Sequence, residues 1–116
     1  MTDEPTLEEL TANVLTDAVV ALSRRTSARL KAVLSDLFEP YDRAYEAWTA
    51  AEEEEPRSLN KCVSAYAVYL EATERLDSVL ESLIPAIWEK ANRVPTGPTA
   101  FYLKRELREL ARTMLL

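Results

Sequence analysis

The chain has 116 residues, with 14 lysines and arginines against 20 aspartates and glutamates, a single glycine, a single cysteine and no histidine. That length suits one domain with a real core, and one glycine argues against tight-turned sheets and nucleotide-binding loops. Without histidine the chain lacks the commonest neutral-pH general base, the Ser/Cys–His nucleophile pairs and most zinc sites, and a lone cysteine forms no internal disulfide.

Alanine, leucine, glutamate and arginine dominate, which favours helix. The predicted fold is all-α: a single helical-bundle domain over residues 1–116, built on long antiparallel helices with coiled-coil-like packing. Proline kinks are expected near Pro40 and Pro85, with a shorter C-terminal helix, and four helices in all. The net charge of −6 is unevenly spread. Residues 1–58 carry six basic and thirteen acidic side chains, whereas residues 90–116 carry six basic and two acidic. No apolar run reaches the roughly 18 residues that span a bilayer. The acidic start, Met1 to Pro5, lacks the basic and apolar segments of a signal peptide, so a cytoplasmic protein is expected.

In chain order, Met1 to Pro5 is expected to fray. Thr6-Leu7-Glu8-Glu9 fits a capping box, with carboxylates in the first turn where the helix dipole favours them. Two apolar stripes follow. One is Leu7, Leu10, Val14, Ala18 and Ala21. The other is Leu15, Val19, Leu22, Thr26, Leu30, Val33 and Leu37. Together they predict one helix to about Leu37, apolar over a wide arc. Arg24-Arg25-Thr26-Ser27 within it fits a basic-directed phosphorylation pattern, of a kind that arises often by chance. Phe38-Glu39-Pro40 is the expected break, since the residue before proline is biased out of helical geometry. A second helix then runs to about Glu53, with Tyr41, Ala44, Tyr45, Trp48 and Ala51 on one face; a kinked continuation of the first helix through Pro40 also fits the residues.

Glu52 to Ser58 reads as a connection, with four adjacent like charges and Pro56. A calcium loop needs spaced ligands and a glycine, which this run lacks, so it reads as a solvated acidic turn. Ser58 is placed to cap the next helix. From there Leu59, Val63, Tyr66, Leu70, Thr73, Leu76, Leu80, Leu83, Ile84 and Ile87 form a stripe at steps of mostly three and four. The stripe continues past Pro85, which predicts a kink; a new helix starting at Pro85 fits the residues equally well. An antiparallel hairpin across the acidic turn would bring together positions summing to about 111, such as Tyr45 with Tyr66 and Tyr41 with Leu70. Val94 to Pro98 reads as the second connection. The last helix is expected from about Thr99 to Leu115, with Leu103, Leu107, Leu110 and Met114 in a stripe.

Two groups are candidates for function. Tyr41, Tyr45, Trp48, Tyr66, Tyr69 and Trp88 could anchor a protein partner, because tyrosine and tryptophan are favoured at interface hot spots. An ordinary hairpin core accounts for the same residues. Lys104, Arg105, Arg108 and Arg112 form a basic strip that could meet phosphates, though no base-reading motif accompanies it and balanced surface charge is the plainer reading. Cys62 sits beside the apolar stripe and reads as a buried, inert thiol. No metal site or cofactor is expected. Leu83-Ile84-Pro85 in a later helix, after Ala32-Val33-Leu34 in an earlier one, resembles the small helical Rubisco assembly chaperones over those few residues; the Val94–Pro98 break departs from that pattern. The resemblance implies only the chaperone class. The resulting expectation is a non-enzymatic helical interaction protein, as adaptor, assembly chaperone or small structural subunit, with a homodimer favoured by the surplus apolar surface. A nucleic-acid-contacting subunit of a ribonucleoprotein is the alternative.

Overall fold

The computed structural model describes residues 6–24, 27–93 and 97–116, and every regular element among them is an α-helix. These are α1 (Leu7–Leu22), α2 (Ala28–Glu53), α3 (Leu59–Leu83), α4 (Pro85–Asn92) and α5 (Gly97–Leu115). The expectations for Met1–Pro5, for Arg25 and Thr26 in the phosphorylation pattern, and for Val94–Thr96 lie outside the described residues.

The helix starts follow from local chemistry. The Thr6 hydroxyl accepts from the Glu9 N–H while the Glu9 carboxylate accepts from the Thr6 N–H, the reciprocal bonds of a capping box. Ser58 accepts from the Lys61 N–H at the start of α3. The helix continues through Pro40, the alternative to the expected break there, and the first helix boundary falls earlier: α1 ends at Leu22 and α2 begins at Ala28. There Ser27 leaves helical geometry and its hydroxyl accepts from Leu30 N–H at 3.1 Å, which starts α2. Pro40 instead lies inside α2. It is exposed, while Phe38 and Tyr41 on either side are buried. Their packing holds the helix through the missing donor, so tertiary burial overrides the local preference.

Pro85 behaves differently. Ile84, with φ −133° and ψ 60°, leaves the helical region, as a residue before proline tends to do, and α3 ends at Leu83. Pro85 then opens α4, where its missing N–H costs nothing. The Trp88 N–H donates to the Ile84 carbonyl at 2.9 Å, so the apolar periodicity survives a true break between helices. α5 starts two residues before the expected Thr99.

α2 and α3 form the main antiparallel hairpin. α5 packs on α2, α1 packs on α4 and α5, and α4 bridges α3 and α5. The body is flat, 52 × 43 × 18 Å, a thickness that fits two layers of helices. One continuous core runs through it, from Val14, Ala18 and Leu22 of α1 to Leu103, Leu107 and Ala111 of α5. Trp48 meets Tyr66, Tyr45 meets Tyr69, and the Cys62 thiol donates to the Ala51 carbonyl at 3.3 Å. Among the described residues no helix is long and apolar enough to cross a membrane.

Candidate functional site

The aromatic residues of α2 and α3 form one connected stack. Tyr69 is at its centre. Its ring lies 5.6 Å from Tyr41, 5.8 Å from Tyr45, 5.2 Å from Trp48 and 6.2 Å from Tyr66, measured between centroids. Trp48 stacks on Tyr69 with an interplanar angle of 24° and lies 4.9 Å from Tyr66. Offset pairs of this kind add about 0.5–1.5 kcal/mol each beyond their buried area.

The basic residues of α5 lie on this stack. Arg105 is placed over Tyr45 at 5.7 Å, Arg108 over Tyr41 at 5.8 Å and Arg112 over Phe38 at 4.5 Å. The cations step by three and four along α5, and the rings step by four and three along α2. Two antiparallel helices in register produce that match. Lys104, on the flank of the ladder, lies over Trp88 at 5.6 Å. The two groups that the sequence offered as separate surfaces are thus packed together.

Two carboxylates complete the arrangement. Asp77 of α3 accepts from Arg108 Nε at 2.6 Å and from Nη2 at 2.8 Å. Asp42 of α2 accepts from Arg112 Nη1 at 2.8 Å and Nη2 at 2.6 Å. Burial works against the Arg108 charge, but the Asp77 hydrogen bonds and charge, with help from Tyr41 and Tyr69, outweigh it and raise its pKa. For Arg112 the hydrogen bonds from Asp42 are the leading cause of a rise. Tyr41 is pushed up to about 12, first by burial and then by its hydrogen bond and charge interaction with Tyr69, with Arg108 pulling the other way.

Burial decides which of the expected partner anchors a partner can reach. Tyr41, Tyr69 and Trp88 are core residues, out of a partner's reach in this fold. Tyr45 and Tyr66 are exposed, and Trp48 is half-buried. Arg108 is likewise buried, not part of a solvent-facing strip, and the Arg112 side chain is one-third exposed. The signal that sequence reading missed is positional. Asp42 follows buried Tyr41, Asp77 follows buried Leu76, Arg108 follows buried Leu107 and Arg112 follows buried Ala111. Each charge stands one residue from a core position, at the rim where opposite charges from two helices meet.

One edge of α3 near the acidic turn presents apolar side chains to solvent. Leu59, Val63, Tyr66 and Leu70 are 69, 60, 37 and 41% exposed. The predicted stripe placed these four in the core. The buried positions of that half of α3 are instead Cys62, Tyr69 and Ala72, because the helix is rotated to bring Tyr69 into the stack; from Thr73 onward, with Leu76 and Leu80, the predicted stripe is buried. Further along the same side of α3, Asp77 is met by α5 through Arg108. A shallow groove of about 330 Å³ opens beside the exposed residues, lined by Trp48, Glu52, Arg57, Leu59, Cys62, Val63 and Tyr66. The charges of the turn are partly matched, Arg57 with Glu52 at 2.7 Å and Lys61 with Glu54.

No family model matches the chain, and no solved structure matches it. Among curated proteins it is 29% identical over 77 residues to an uncharacterized globin-like protein of Aquifex aeolicus strain VF5. The match takes in 66% of this chain and 55% of that protein, so the chain spans about half the length of the relative. Globin folds are all-helical, in keeping with the architecture here. Globins hold haem iron through a proximal histidine, and this chain has none. The space between α2 and α3 is taken by the Tyr69-centred stack, and the Cys62 thiol, the softest donor available, is turned onto the Ala51 carbonyl.

Proposed function

We propose that this chain is a non-enzymatic helical protein-interaction module that takes a partner helix on the exposed edge of α3. The observation that carries the reading is the 4-3-4 spacing of Leu59, Val63, Tyr66 and Leu70, all exposed. Apolar residues alternating in threes and fours form the seam against which a second helix packs its own side chains. Tyr66 within the seam and half-buried Trp48 beside it supply aromatic surface. Nucleic-acid binding through Lys104, Arg105, Arg108 and Arg112 is the less favoured reading, since Asp77 and Asp42 already engage two of the four guanidinium or ammonium groups.

A photo-crosslinking residue at Val63, expressed in the chain's own host, tests the proposal. The expected result is one discrete adduct, lost in the Leu59→Glu/Leu70→Glu variant and absent with the crosslinker at the exposed Glu71. The same adducts at both positions, or none at Val63, would overturn it.

A further inference from the structure

We infer that the helix taken by the α3 seam is a basic one: an amphipathic helix of a different protein, its apolar stripe flanked at both ends by lysine or arginine. The inference rests on the interaction reading above and adds the partner's charge. Carboxylates bound the seam at both ends. Before Leu59 stands the acidic turn, Glu52 to Glu55. Beyond Leu70 the same face of α3 continues at Glu74, Asp77 and Glu81, again at helical spacing, so the stripe passes from apolar to acidic. Asp77 is held by Arg108. Glu53, Glu55, Glu74 and Glu81 are all exposed, and among the described residues none of the four is in an ion pair.

The cations of this stretch are already engaged: Arg57 by Glu52, Lys61 by Glu54 and Arg75 by Glu71. On the α5 side, Arg105 lies over the Tyr45 ring. Residues 52–81 hold eight acidic and three basic side chains, which accounts for most of the chain's net charge of −6. From Leu59 to Leu70 the seam is ~16 Å long, so a partner helix of about five turns covers it and reaches the carboxylates at both ends. Exposed charges of this kind add little affinity singly, but their sign decides which helices are accepted and which are repelled. A second copy of this chain is repelled. Paired antiparallel, it would set Glu52 and Glu55 of one copy against Glu74 and Asp77 of the other; paired parallel, it would set the two acidic turns side by side.

The test is fluorescence anisotropy of the full chain with two labelled helical peptides of roughly 20 residues, long enough to span the seam and its ends. Both carry leucines at the spacing of the seam. One has lysines at its flanking positions and the other has glutamates. The lysine peptide is expected to bind roughly tenfold more tightly at low salt, with the gap narrowing as salt rises. The Glu53→Gln/Glu55→Gln/Glu74→Gln variant is expected to weaken the lysine peptide by about tenfold. Glu8→Gln/Asp36→Asn/Glu106→Gln, which removes the same charge from other exposed faces, is expected to leave binding unchanged. Val63→Ser/Leu70→Ser is expected to abolish it. Equal affinity for the two peptides, no binding of the lysine peptide, or equal losses in the two charge variants would overturn the inference. So would a wild-type dimer that Val63→Ser/Leu70→Ser converts to monomer, which would give the seam to a second copy. If the lysine peptide fails while Val63 still yields its discrete adduct, the interaction reading stands without the basic partner; failure of both ends both.

Discussion

Arg108 of α5 and Asp77 of α3 are joined by two hydrogen bonds, 2.6 and 2.8 Å long, with only 4% of the arginine side chain and 19% of the aspartate side chain exposed. A guanidinium buried to that degree is tolerable only while its carboxylate is present. Asp77→Asn is expected to destabilise the fold by about 3–5 kcal/mol, because it leaves the charge buried without its partner. Replacing both residues with apolar ones of similar volume, as in Asp77→Leu/Arg108→Met, is expected to cost far less. Urea unfolding of the single and double variants checks this; equal losses would show that the pair itself supplies the stability.

The outer rung behaves differently. Arg112 is a third exposed, its pairing with Asp42 is open to water, and its guanidinium lies 4.5 Å from the Phe38 ring. Arg112→Ala is expected to cost roughly 1 kcal/mol, the scale of a half-exposed ion pair with a ring contact. The loss should shrink in high salt more than the loss from Asp77→Asn, since screening reaches exposed charges first.

Alkaline titration should resolve Tyr41. A phenol pushed up from 10.0 to about 12 is held neutral by the fold. Its contribution to stability is full below pH 10 and is lost as pH rises from about 10 to about 12. Ultraviolet titration of phenolate is expected to show a late step near pH 12 that is missing from Tyr41→Phe. Identical curves for the two proteins would contradict the Tyr41–Tyr69 arrangement.

The two unexpected features of α2 can be probed separately. Ser27→Ala removes the cap of α2 and is expected to cost about 1 kcal/mol. Pro40→Ala restores a backbone donor on an exposed position in a helix that is already continuous. It is expected to raise stability by roughly 1 kcal/mol, well short of the ~3 kcal/mol helix-propensity difference, because the unfolded chain also gains freedom. Thermal unfolding followed at 222 nm reads both; a loss on Pro40→Ala would mean that the proline shapes α2 in a way the neighbouring core requires.

The fold class, the acidic turn and the caps at Thr6 and Ser58 were legible because each depends on neighbours within a few residues. The start of α2 at Ala28 was also written locally, in the capping serine before it, but the apolar stripes on either side kept their phase and hid it. Pro40 misled for the opposite reason: its local preference is real, and burial of Phe38 and Tyr41 overrides it. At the candidate site the right residue types were visible and their partners were not. Nothing near Arg108 in sequence announces Asp77 or Tyr41, because the pairing exists only once α5 lies on the hairpin. The exposed seam was misplaced by the same cause. Tyr69 rotates α3 towards the stack, and a stripe at helical spacing gives no sign of which of two adjacent phases a distant ring will choose.

The ladder between α2 and α5 has a consequence for the order of assembly. Arg112 and Asp42 are 70 residues apart, whereas the α2–α3 hairpin closes over a short turn. Closing the longer loop costs more chain entropy, and its return is collected only when the rings and carboxylates are already in place. The hairpin is therefore expected to form first and serve as a template, with α5 arriving as a latch whose three cations meet three rings already in place. Variants at Tyr41 or Tyr69 are then expected to slow folding, and variants at Arg108 or Arg112 chiefly to speed unfolding, as stopped-flow rates would show.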